Sequence, residues 1–161
     1  MTCLQGASAL DALLNQVGNQ PVTVFAVWQP MLPTDWSPPG SLVLSRMDDV
    51  RVRQFWDPNH LTAKRLAADA KPPQPEPDCC EQEGILWDLA AAYALDAVWS
   101  DHLPTASFVN GPVVAAAEDL KATVRKLLDA PLEQSSGAVL PAVQKTGERD
   151  EVVVLTVRGM T

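Results

Sequence analysis

Proline placement is the strongest constraint on how this chain can fold. Of its 14 prolines, Pro30, Pro33, Pro38 and Pro39 crowd one stretch, and Pro72, Pro73, Pro75 and Pro77 crowd another. Proline fixes φ and has no backbone donor, so neither stretch can hold a helix or a central strand. Regular structure must therefore be built in three pieces: before residue 30, between residues 40 and 71, and after residue 84.

In the first piece Leu10, Leu13, Leu14 and Val17 recur at helical spacing behind Ser8, a candidate N-cap, with Gly18 placed to end the turn. That spacing predicts a helix over residues 8–17. Residues 22–28 are β-branched and aromatic, and too continuously apolar for a half-exposed strand, which predicts a central strand covered on both faces. Residues 29–40 then form the loop leaving its C-terminal end. In the second piece, residues 41–47 read as a turn or two of helix, 50–56 as a second strand closed by Asp57 and Pro58, and 60–70 as a helix. Strand, connection and strand in this order predict a parallel pair.

Residues 71–84 carry four prolines and the acids Glu76, Asp78, Glu81 and Glu83, a composition that cannot repay the entropy of ordering, and an exposed loop is expected. Residues 85–93 are expected as strand, and 108–114 as a hairpin or strand edge with Asn110-Gly111 as the turn signal. An amphipathic helix is expected over 115–129, with Leu120, Val124, Leu127 and Leu128 on one side and Glu118, Lys121, Arg125 and Lys126 on the other. Residues 131–150 carry too few signals to place. Residues 151–158 form an apolar strand that needs a partner, and an intermolecular sheet, making a homodimer, is one way to provide it.

At 161 residues, 47% apolar and 20% charged, the chain reads as one globular domain. Its formal charge of −8 argues against nucleic acid or an anionic membrane as the main partner, since both need a basic surface. No apolar run reaches the length of a membrane span and the start shows no cleavable leader pattern, so a cytoplasmic protein is expected. Three cysteines, two of them adjacent, are a poor framework for structural disulfides, which fits a reducing compartment.

The order of elements resembles the thioredoxin-like fold, with VTVFAVWQPMLPTDW standing where thioredoxins place their first core strand and active-site loop. More narrowly, VFAVWQPMLPTDW, RVRQFWDPNHL and ASFVNGPVV are similar to an uncharacterised bacterial family of small thioredoxin-like proteins. The resemblance covers roughly residues 20–130 and implies an α/β fold in which a central mixed sheet is flanked by helices, with residues 131–161 as an extension. It implies no activity. Thioredoxins carry two cysteines, two residues apart, after the tryptophan of that strand; here Trp28 is followed by Gln29-Pro30-Met31-Leu32-Pro33-Thr34-Asp35. A cis-proline ahead of the third strand is missing too, since Glu83-Gly84 precede Ile85. Both departures argue against dithiol redox catalysis and leave a non-catalytic binding or adaptor module.

Candidate site residues fall into two groups. Trp28, Asp35 and Trp36 lie at and after the end of the central strand, where open α/β sheets bind ligands. Asp57 and His60 flank the next strand-to-helix junction, Asp57 as a cap and His60 projecting from the first turn. Together these five are the expected cleft for a small molecule or protein, and a catalytic role for Asp35, Asp57 and His60 requires that they converge. The second group is Cys79 and Cys80, two thiols able to hold a soft metal ion or exchange with a thiol partner. Neighbouring Asp78 and Glu81 disfavour the thiolate, and two sulfurs do not complete a tetrahedral zinc site. Cys3 reads as incidental and His102 belongs to no metal pattern. No phosphate-binding glycine loop, nucleophile elbow or set of paired cysteines is present, so no cofactor beyond that soft metal ion is expected.

Overall fold

The apolar run over residues 22–28 becomes a strand buried along its length except at Phe25. The computed structural model describes residues 2–32, 34–69, 79–95, 97–130 and 152–158. Helix α1 (Thr2–Val17) leads into β1 (Val22–Trp28), followed by the short helix α2 (Ser41–Leu44), a 3-10 turn (Ser45–Met47) and β2 (Val52–Trp56). Helix α3 (Leu61–Asp69), the two-residue strands β3 (Glu81–Gln82) and β4 (Ile85–Leu86), then β5 (Leu89–Tyr93) and β6 (Phe108–Asn110) come next. Helix α4 (Val113–Asp129) and β7 (Val152–Arg158) complete the described order.

Five strands form a mixed sheet in the order β2-β1-β7-β5-β6. β1 is parallel to β2, with Val24 opposite Val52, and parallel to β7, with Val24 opposite Val154. β5 runs antiparallel to both β7 and β6. The result is an α/β domain with a mixed sheet and helices on its faces. Alternation along β1 assigns the layers. Val22, Val24, Ala26 and Trp28 pack with Leu10, Leu14 and Val17 of α1 and Val113, Leu120 and Val124 of α4. Val27 faces the other way, joining Ala63 and Leu66 of α3 with Leu89, Ala91 and Tyr93 of β5 and Leu155 of β7. Each fully buried Leu or Val contributes about 1.5–3 kcal/mol against exposure, so the face under α1 and α4 is the stronger of the two.

Arg51 joins α1 to β2. Its guanidinium donates to the Leu14 carbonyl at 2.9 Å and to the Gly18 carbonyl, groups that the end of a helix leaves unmatched, and pairs with Asp49 at 2.6 Å. Hydrogen bonding to Arg51 holds the Asp49 carboxyl below its usual range.

Several expectations are corrected. The first helix starts at Thr2, and Ser8 lies inside it, its hydroxyl donating to the Leu4 carbonyl at 3.3 Å, as a mid-helix serine can. The expected strand over 85–93 is broken at Trp87-Asp88, where Asp88 takes φ +47°, so β4 and β5 join different sheets. Part of the expected acidic loop is ordered: β3 and β4 form a hairpin whose turn residues Glu83 and Gly84 both have positive φ, as a two-residue type I′ connection requires. Asn110-Gly111 makes no hairpin but leads through a cis Gly111–Pro112 bond into α4, which begins at Val113. Residues 71–78 and 131–150 lie outside the described residues. β7 pairs on both edges, so it offers no free edge for a sheet shared between two copies. Among the described residues no helix is long and apolar enough to cross a membrane.

Candidate functional site

Trp28 ends β1 in the core, 1% exposed, its indole N–H donating to Gln54 Oε1 at 2.9 Å. Gln54 in turn donates to the Leu44 carbonyl at 2.9 Å. Trp28 is thus a structural anchor between β1, β2 and the α2 segment. Asp35 closes its own loop, with Oδ2 accepting from the Met31 and Leu32 amides at 2.9 Å each. The carboxylate reaches back to amides three and four residues earlier and so closes the turn from its C-terminal side. Trp36, beside it, is 82% exposed.

Asp57 does what its position suggested. The chain end of β2 is tied to β1 by the Asp57 amide donating to the Trp28 carbonyl at 2.8 Å. Its carboxylate accepts from the Thr62 amide at 2.8 Å and the Asn59 amide at 3.3 Å, capping α3. His60 takes φ +56°, a left-handed conformation uncommon outside glycine. Its Nδ1 lies 3.2 Å from Gln29 Oε1. Gln29 is fully buried, and its Nε2 donates to the Leu86 carbonyl at 3.0 Å, which fixes which way the amide faces. An amide oxygen only accepts, so the His60 Nδ1 facing it is the donor of this contact. The five residues expected as one cleft therefore occupy three settings: Trp28 in the core, Asp35 and Trp36 in the loop after it, and Asp57 with His60 at the start of α3. Asp35 and Asp57 both direct their carboxylates at backbone amides.

The concavity lies over the second face of the sheet. A pocket of about 610 Å³ is floored by Phe25, Val27, Phe55, Val153 and Leu155. One wall is the start of α3 with Asp57, Asn59 and Thr62; the opposite wall is Tyr93 and the 97–104 segment with Trp99, Leu103 and Pro104. Phe25 and Phe55 meet at 6.1 Å between ring centroids. Phe55 and Trp99 are about half exposed, at 51% and 53%. Of the expected cleft only Asp57 lines this pocket, joined there by Trp56 at the end of β2. Sequence reasoning passed over Phe25, Phe55 and Tyr93: the register that sets Val27 opposite Phe55 puts Phe25 and Phe55 on one face of β1 and β2, and Tyr93 lines the same pocket from β5.

Asp69 holds the far wall in place. Its Oδ2 accepts from Arg65 Nε at 2.7 Å and from the Leu103 amide at 3.0 Å, and its Oδ1 lies 3.1 Å from His102 Nδ1. That nitrogen also lies 2.8 Å from Arg65 Nη2. It accepts from Arg65 when bare and donates to Asp69 when protonated. Burial alone would push the Asp69 carboxyl up, but the Leu103 amide, His102 and Arg65 together hold it down at about 2. The Tyr93 phenol is pushed up to about 12, first by burial and then by the negative charge of Asp69, so it stays protonated at neutral pH.

Cys79 and Cys80 are joined by a disulfide, against the expectation that the cysteines stay unpaired. They are half-buried, with Cys80 at φ +75° and its carbonyl accepting from the Trp87 amide at 2.9 Å. Among the described residues no three His, Cys, Asp or Glu side chains converge as a metal site. Compared with protein-family models, curated proteins and solved structures, the chain matches none.

Proposed function

We propose that the chain is a non-catalytic binding module, built on a thioredoxin-like core, whose ligand is a small molecule held over the second sheet face. The observation that carries this reading is the pocket of about 610 Å³, within the size range of ligand sites and walled mainly by apolar and aromatic side chains with a few polar groups at one end. The parallel β1–β2 pair, the antiparallel β5–β6 pair and α4 support the thioredoxin-like core, from which the chain departs in setting β7 between β1 and β5. Binding of the neutral dye N-phenyl-1-naphthylamine tests the site. A saturable one-to-one rise in fluorescence is expected, weakened about tenfold by Phe55→Ala, which removes roughly 1.4 kcal/mol of apolar contact. A rise that does not saturate, or that Phe55→Ala leaves unchanged while the melting temperature is preserved, overturns the reading.

The disulfide favours a second reading, thiol exchange at Cys79–Cys80. A partner thiolate attacks one sulfur, the S–S bond breaks, a mixed disulfide forms and the other sulfur leaves as thiolate. Soft-metal binding requires the pair to be reduced first, since neither bonded sulfur is a thiolate. The chain has three cysteines, so with two in the disulfide, maleimide in denaturant should add once without reductant and three times after reduction. Three additions before reduction would remove this reading.

A further inference from the structure

The pocket has an uneven charge inventory. Among its described lining residues Asp57 is the one with a formally charged side chain; no Lys, Arg or His is present. The nearby cations are engaged or outside the lining: Arg65 pairs with Asp69, the Lys64 ammonium donates to the Asn59 carbonyl at 3.1 Å, and Arg53, opposite Phe25 in the β1–β2 register, is exposed to solvent. Ring faces add to the same preference. Phe25, Phe55, Trp56, Tyr93 and Trp99 contribute to the lining, and an aromatic face attracts a cation within about 6 Å, by about 0.5–1 kcal/mol at exposed sites and more when desolvated. An anion entering the same space would leave water without a cationic partner, which is costly. At long range the formal charge of −8 also draws cations to the surface.

Resting on the binding-module reading above, we propose that this pocket selects a lipophilic organic cation, a quaternary or protonated amine or a phosphonium carrying apolar groups. Asp57 supplies the counter-charge at the α3 end while the aromatic side chains receive the apolar groups. Both carboxylate oxygens of Asp57 are already oriented by backbone amides, so the charge is fixed in place before the ligand arrives.

Tetraphenylphosphonium and tetraphenylborate provide the test, being alike in shape and opposite in charge. Isothermal titration of the full chain should show one-to-one binding of the phosphonium at least tenfold tighter than of the borate, with the gap narrowing as sodium chloride rises. Asp57→Asn, which also touches the α3 cap, should weaken the phosphonium by a larger factor than the neutral dye, and equal weakening of the two overturns the role of its charge. Trp99→Leu, which keeps apolar surface and removes a ring face, needs no change at the cap and should weaken the phosphonium about two- to fivefold. Borate binding as tight as phosphonium, with the dye still bound, overturns charge selection and leaves the pocket reading intact. Loss of all three ligands overturns both.

Discussion

Gln29 shows how much can rest on one side chain. It follows the core strand directly and is fully buried, with its amide N–H on the Leu86 carbonyl and its amide oxygen on His60. Gln29→Leu, close in volume, would leave a buried carbonyl and a ring N–H unmatched, and should cost about 1–3 kcal/mol in urea unfolding. A change within error would mean that water replaces both bonds. Gly111 is constrained differently. A Cβ there would lie 2.5 Å from the Asp88 carbonyl oxygen and 3.0 Å from Cys80 Sγ, and backbone cannot yield as a flexible side-chain tip can. Gly111→Ala should therefore destabilise by about 1–3 kcal/mol, the range of an overpacked interior. Neither role was legible beforehand. Gln29 was only the first residue of a proline-rich loop, and Asn110-Gly111 carried the signature of a hairpin turn; both depend on segments distant in sequence. Asp57 was legible because capping is local chemistry, written within five residues of the chain.

At the scale of elements, α3 and the 97–104 segment are fastened together by one carboxylate. Folded Asp69 sits at about 2 against an ordinary value of 3.8, so the folded state binds its proton less readily than the unfolded chain. The stabilisation it gives is complete above about pH 4 and fades as pH falls towards 2. Asp69→Asn should abolish that part of the acid dependence in chemical denaturation, and should weaken dye binding as the Leu103 wall loosens; an unchanged acid limb would show that the carboxylate does not hold the segment. Helix α4 was legible from its period, and β1 and β2 from β-branched and aromatic runs bounded by proline or aspartate. The β4–β5 break was not, since a single left-handed residue at Asp88 interrupts an apolar run without marking it. Ser8 misled because the same hydroxyl can cap a helix or bond back into one.

For the whole molecule, the position of β7 decides the most. A strand taken from the far end of the chain fills the middle of the sheet, flanked by β1 and β5. Its apolar composition was plain in the sequence; its place was not, because strand order is set by long-range pairing that no local pattern encodes. Native-state hydrogen exchange should find the amides of β1, β7 and β5 among the slowest and those of the outer strands β2 and β6 faster. Fast exchange in β7 would contradict a central position. Val154 is fully buried there, so Val154→Asp should abolish cooperative unfolding rather than shift it. The same arrangement has a consequence during synthesis. Until residue 158 has left the ribosome, the sheet is two separate halves with a strand-wide slot between them, each presenting an unpaired apolar edge. A chain cut between β6 and β7 should therefore leave both edges bare and aggregate, whatever its remaining elements can form alone.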